Sequence, residues 1–248
     1  MSPDARRTRR NRTSKYETAE SLPVRTPNVR KEASRPTHQS QVGALLGGWV
    51  LNPYLAFLLL LGIGIASFRV DHQLRLALIW LVLVILVLLY ADSGRLKASY
   101  SLVNLSRGIL TGAVIALPLF VLAKDFFHAT ALRLYGVNDL QVLVERAVFL
   151  VPILEESFFR GIVQHERGRL DGALLFGLAQ ALYFVSAANV FSVVIVALAL
   201  GSCLLGLLYG YLYERYGLTS SIGCHVAVNF VLLVLPTLAV EISKLLAF

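Results

Sequence analysis

Charge is scarce in this sequence. Only 15% of its 248 residues are Asp, Glu, Lys or Arg and 56% are apolar, against about 25% and roughly 45–50% in soluble domains. A soluble protein of this length needs more charge to cover its surface. With a mean hydropathy of +0.68, the composition excludes a soluble globular enzyme, a disordered chain and a collagen-like chain. What remains is an all-α, polytopic membrane protein. Cysteine is nearly absent as well. Cys203 and Cys224 both lie in apolar stretches, which excludes a disulfide framework and a cysteine metal cluster; they read as small packing residues in a bundle. No apolar segment lies near the start, which argues against a cleavable signal peptide.

The charge that is present is unevenly spread. The net value is +8, and residues 1–42 hold ten Lys/Arg against four Asp/Glu, while the rest of the chain holds thirteen against eleven. The first 42 residues run MSPDARRTRRNRTSK and then through scattered Pro, Ser and Thr. They have no apolar periodicity and cannot bury a core, so residues 1–42 are expected to be a disordered basic tail. The positive-inside rule puts that tail in the cytoplasm, close to anionic lipid. Asp4, Glu17, Glu20 and Glu32 weaken an organelle transit reading. Nucleic-acid binding by the arginines of residues 6–15 is the lesser reading, and no nucleic-acid partner is expected.

Residues 43–248 are expected to form a transmembrane helical domain. A crossing helix needs about 20 apolar residues. Uncharged runs place spans at 51–68, 74–91, 108–123, 147–163 and 220–240. Residues 172–213 carry no charge and are too long for one helix, so two spans joined by a turn near Ala188-Asn189 fit them. Residues 124–146 mix aromatic and charged side chains and read as an interfacial or partly re-entrant helix. The total is about seven spans, or eight if 124–146 crosses. Gly206-xxx-Gly210 offers a small-residue face for close helix contact.

Ionisable groups inside spans cost about 2.5–3.5 kcal/mol each on insertion scales, and persist when paired or functional. The span at 147–163 contains Leu154-Glu155-Glu156-Ser157-Phe158-Phe159-Arg160. Glu156 and Arg160 are i and i+4, so they share a face and can form an ion pair. Glu155 is rotated by about 100° from Glu156 and has no local partner, the situation in which a carboxylate can serve as general base. A purely structural role, lacing helices together, is equally open from spacing alone. The last span holds His225 and Asn229, again i and i+4, so imidazole and amide project from one face and need a shared polar partner in a membrane interior. Gln180 stands one turn after Phe176, where interhelical hydrogen bonding is the default reading.

Three polar clusters on three apolar spans, in the order Glu-Glu-xxx-Arg, Phe-xxx-polar, His-xxx-Asn, resemble the CPBP family. These are the intramembrane CAAX-type proteases and bacteriocin-processing relatives, including the Ras-converting enzyme. The likeness covers roughly residues 143–235. The resemblance implies that Glu155 activates a water, that Glu156 pairs with Arg160 and steadies the helix, and that His225 and Asn229 polarise the scissile carbonyl, stabilise its oxyanion or help hold a metal. Its second motif usually carries His where this chain has Gln180. An amide can orient water but cannot take a proton near neutrality and is a poor zinc ligand. Zinc with Glu155 and His225 as its good ligands would fall short of the usual three. Water activated by Glu155 without a metal is therefore favoured over zinc, and the metal requirement stays open.

The resemblance implies an intramembrane endopeptidase acting on a membrane-anchored protein or peptide in the bilayer. In that case Glu155, Gln180, His225 and Asn229 must converge on a water-filled cavity. A separation above about 10 Å between Glu155 and His225 would defeat this, because no single water could serve both. A binding scaffold of the same kind, without catalysis, is the alternative that Gln180 supports. A transporter using Glu155 and Glu156 as a proton relay is a third reading. The polar clusters are confined to three spans, which fits a one-sided cavity better.

Overall fold

The structure, a computed structural model, describes residues 52–97, 100–136, 139–187 and 193–246. The tail expected over residues 1–42 and the turn expected near Ala188-Asn189 lie outside the described residues. The chain divides into Met1–Thr37 and His38–Phe248, and every described residue belongs to the second unit.

Among the described residues the regular structure is helical throughout. In chain order the helices are α1 (Pro53–Ala66), α2 (His72–Asp92), α3 (Leu102–Tyr135), α4 (Leu140–Val144), α5 (Val151–Phe158), α6 (His165–Arg167), α7 (Arg169–Ala187), α8 (Val193–Tyr216), α9 (Leu218–Asn229) and α10 (Leu235–Leu246). Their starts follow from capping chemistry. The side chains of Asn52, Asp71, Ser101 and Asp139 accept from backbone N–H groups of the first turns of α1, α2, α3 and α4, satisfying donors that a helix start leaves orphaned. Three wider i+5 turns link elements into longer rods: Glu145–Leu150 joins α4 to α5, Phe159–Gln164 joins α5 to α6, and Phe230–Val234 joins α9 to α10. Such turns gather at functional sites, and here they flank the segments that carry Glu155, Glu156 and His225.

Four helices are long and apolar enough to cross a bilayer, by length and composition, among the described residues: His72–Asp92, Leu102–Tyr135, Val193–Tyr216 and Leu218–Lys244. They coincide with the spans expected at 74–91, 108–123, the second half of 172–213, and 220–240. The other expected spans fall on α1, on α4–α6 and on α7. α1 and its following turn form a shorter apolar helix. Glu155, Glu156 and Arg160 lower the hydropathy of the α4–α6 rod, as Arg169, Asp171 and Gln180 do for α7. α3 is longer than a bilayer core requires. At 1.5 Å per residue, its 34 residues reach about 51 Å against a hydrocarbon core of about 30 Å. Its backbone leaves helical geometry at Ala123, five residues after Pro118. There the expected span ends and Lys124 begins the mixed segment.

Close contact between helices comes from small residues. A Cβ at Gly108 or Gly112 of α3 would collide with the backbone carbonyls of Ser220 and Cys224 in α9, so the two helices cross almost backbone to backbone. Gly206 of α8 lies against Ala173 of α7, and Gly210 lies against Gln164 and Arg169. This is the contact expected of the Gly206-xxx-Gly210 face. The outer faces carry exposed Leu110, Val114, Leu122, Leu200 and Leu204, the apolar exterior that a bilayer solvates.

Polar groups tie the rods together at one end. Tyr54 donates to Asp171 and lies under the Arg167 guanidinium, Arg95 pairs with Glu166 at 2.6 Å, and Arg169 pairs with Glu214 at 3.4 Å. At the start of α2, His72 reaches the Leu134 carbonyl at 2.6 Å, Gln73 donates to the Tyr135 carbonyl, and Arg146 donates to Gln73. These bonds fix the end of α3, which turns at Gly136 with a positive φ of 60°.

Candidate active site

The polar clusters meet in the middle of the helical unit. α5 presents two adjacent carboxylates, and both Glu155 and Glu156 are fully buried. The Arg160 guanidinium, also fully buried, lies 3.2 Å from Glu156 Oε2 through its Nε. It donates from Nη1 to the Gly172 carbonyl at 3.2 Å and faces the rings of Phe176 and Tyr209. A buried carboxylate needs this kind of company. Glu156 gathers more: Ser221 donates to Oε2, and His225 Nδ1 lies 2.9 Å from Oε1. A carboxylate only accepts, so Nδ1 carries the hydrogen. The imidazole is held flat, stacked on Tyr209 at 4.8 Å between centroids, with Phe176 edge-on at 5.7 Å.

That orientation turns His225 Nε2 towards Glu155, 3.9 Å from Oε2. Gln180 Nε2 donates to the same oxygen at 2.8 Å, and Tyr183, also buried, borders the same small space as the Glu155 carboxyl group. Asn229 donates to the Ala147 carbonyl at 2.8 Å. It shares with Gln180 and His225 the lining of a cleft of about 480 Å³. Ile115, Leu119 and Phe127 of α3 form one wall of the cleft, and Ala197, Gly201 and Leu204 of α8 form another. Leu119 and Leu204 are exposed at its rim. Behind the cleft, a void of about 20 Å³ lies among Glu155, Gln180, Tyr183 and Tyr135, closed by Leu76, Trp80, Leu134 and Val151. That volume admits about one water. Gln180, Tyr135, Leu134 and Val151 line both spaces.

The structure thus brings Glu155, Gln180 and His225 within hydrogen-bonded or water-bridged reach, and Asn229 onto the same cleft wall. His225 also binds Glu156, which joins both motifs in one network. Sequence reasoning missed Ser221, Tyr183, Tyr209 and Tyr135. Ser221 was within reach of it, four residues before His225 on the same face. Tyr183 was too, three residues after Gln180. Tyr209 and Tyr135 carry no local signal. His128 bonds Thr237 at 3.1 Å, and His165 is exposed; neither enters the site. Among the described residues no three of His, Cys, Asp and Glu gather as a metal set. Zinc would find Glu155 and His225 Nε2 with amides and tyrosine hydroxyls beside them, which does not fit a catalytic site of three His, Cys or carboxylate ligands.

Residues 138–231 match the family model described as type II CAAX prenyl endopeptidase Rce1-like. No curated protein and no solved structure matches. The matched segment holds all three polar clusters, and over those residues the chain is similar to the CAAX-type proteases.

Proposed function

We propose that the chain is an intramembrane endopeptidase that hydrolyses a peptide bond of a membrane-anchored protein or peptide with water activated at Glu155. The observation that carries this reading is the geometry around Glu155: one carboxylate with Gln180, His225 and Tyr183 about it, beside a void that admits one water. Glu155 takes a proton from that water. The hydroxide attacks the scissile carbonyl carbon, and the developing oxyanion is met by the second amide hydrogen of Asn229, with the His225 ring beside it. The carbon–nitrogen bond breaks as Glu155 returns the proton to the leaving amine. Glu156 remains ionised against Arg160 and His225 and keeps the imidazole in register. Among the described residues no Asp, Glu, Lys or Arg lines the cleft, which suits a substrate carrying a lipid chain, in keeping with the prenyl endopeptidase description of the family model.

The remaining apolar helices, α1, α4–α6 and α7, sit within the membrane beside the four long ones, and the end bearing Arg95, Arg167 and Arg169 faces the cytoplasm together with the N-terminal tail. The catalytic reading is tested by purified protein in lipid, given membrane-anchored peptides with and without a lipid-modified cysteine. Glu155→Gln is expected to lower cleavage by about 10²–10⁴-fold, and Gln180→His to keep or raise it. One observation favours a second reading, a binding scaffold without catalysis: the Gln180 amide stands where a proton-carrying imidazole would serve better. No cleavage by the natural chain, with activity only in Gln180→His, would establish that reading instead.

A further inference from the structure

We infer that Tyr183 is a positioning residue for the reaction, the hydroxyl that orients the Glu155 carboxylate and holds the attacking water against it. The inference rests on the peptidase reading above. Its basis is the helix face made by Phe176, Gln180 and Tyr183, spaced i, i+4 and i+7 along α7. All three are buried, and each does something different. Phe176 braces the imidazole of His225. Gln180 donates to Glu155 Oε2. Tyr183 faces the small void that Glu155 also lines, away from the cleft.

The polar content of that void makes Tyr183 necessary. A buried water typically makes about three hydrogen bonds. Leu76, Leu134 and Val151 supply none of them, and the Trp80 indole can only donate. Glu155, Gln180, Tyr135 and Tyr183 are the lining residues whose side chains offer an acceptor. A glutamine amide has fixed roles, donating from nitrogen and accepting at oxygen, whereas a tyrosine hydroxyl both donates and accepts by rotating. When Glu155 goes from carboxylate to carboxylic acid it passes from acceptor only to donor and acceptor. The Tyr183 hydroxyl can follow that change by rotation, and the Gln180 amide nitrogen cannot.

Tyr183→Phe keeps the ring and removes only the hydroxyl. With the purified full chain in lipid and a membrane-anchored peptide, the expected result is a fall in kcat of about 10- to 100-fold, the size of one hydrogen bond to a charged group, with KM unchanged. In a Gln180→His background, where a second proton-carrying group joins the site, the same substitution is expected to cost less, a coupling that a merely structural tyrosine would not show. An equal loss in both backgrounds, or cleavage within twofold of the natural chain, overturns the inference. A second readout does not need turnover: the infrared carboxyl stretch that titrates with pH and disappears in Glu155→Gln. Its shift in Tyr183→Phe supports the contact, and an unmoved band overturns it. A chain that cleaves nothing, yet shows the shift, overturns the peptidase reading while keeping Tyr183 against Glu155.

Discussion

Glu156 is the most heavily partnered side chain in the site, bound by Arg160, Ser221 and His225. Its burden is electrostatic. A fully buried carboxylate is tolerated only while its partners remain, and losing the cation of a buried pair costs about 3–5 kcal/mol. Arg160→Met is therefore expected to destabilise the protein by about that amount, read as a lower midpoint of thermal unfolding in detergent. Ser221→Ala removes one hydrogen bond to the same carboxylate and is expected to cost about 1.5–3 kcal/mol. Equal midpoints for Arg160→Met and the natural chain would show that Glu156 does not depend on the guanidinium. The pairing of Glu156 with Arg160 was legible from i, i+4 spacing. The bond from His225 to Glu156 was not, because it joins residues 69 apart in the chain and needs the packing of α9 on α5.

At the scale of elements, the crossing of α3 and α9 is set by glycine. Gly112→Leu would drive a side chain into the Cys224 carbonyl and to within 2.9 Å of the Ala227 Cβ, and His225 follows Cys224 directly. Overpacking of this kind costs about 1–3 kcal/mol, and the displaced α9 carries His225 away from Glu156. The expected outcome is lost cleavage with reduced unfolding temperature. Gly62→Ala on α1, where a Cβ would meet nothing within 4 Å, is expected to be neutral or to gain about 0.5–1 kcal/mol. Comparable losses in both variants would refute the crossing argument. Sequence patterning found the small-residue face at Gly206 and Gly210 but not the one at Gly108 and Gly112, although the spacing is the same. It placed the end of the third span at the onset of charge, and the backbone breaks there, at Ala123. It read residues 124–146 as a separate interfacial or partly re-entrant helix and did not show that residues 124–135 prolong α3, because mixed aromatic and charged residues serve an interfacial helix and a continued one equally well.

For the molecule as a whole, the charged contacts of Tyr54, Arg95, Glu166, Arg167, Asp171, Arg169 and Glu214 gather at one end, and those of His72, Gln73 and Arg146 lie about the end of α3. The orientation proposed above puts the arginine-rich end in the cytoplasm. A cysteine introduced at Arg167 in a chain lacking Cys203 and Cys224 is expected to react with an impermeant thiol reagent only after the cytoplasmic face is opened. One introduced at Gly136 is expected to react from the other side, and the reverse pattern would invert the assignment. All-helical character and the clustering of polar residues on a few rods were readable from composition, since scarce charge in a bilayer must be shared. How the rods pack to leave a cleft between α3 and α8 was not, because residues 108–123 of α3 and 193–213 of α8 carry no charge to mark one face.

That cleft has exposed leucines at its rim, Leu119 on one helix and Leu204 on the other. A substrate entering there travels in two dimensions. Its encounter rate then depends on molecules per area of membrane rather than per volume of solution. Adding protein-free lipid at constant bulk concentrations would thin the substrate across the surface and slow cleavage. For the proposed peptidase a Michaelis constant is then a mole fraction, and the area of membrane that enzyme and substrate share sets the rate.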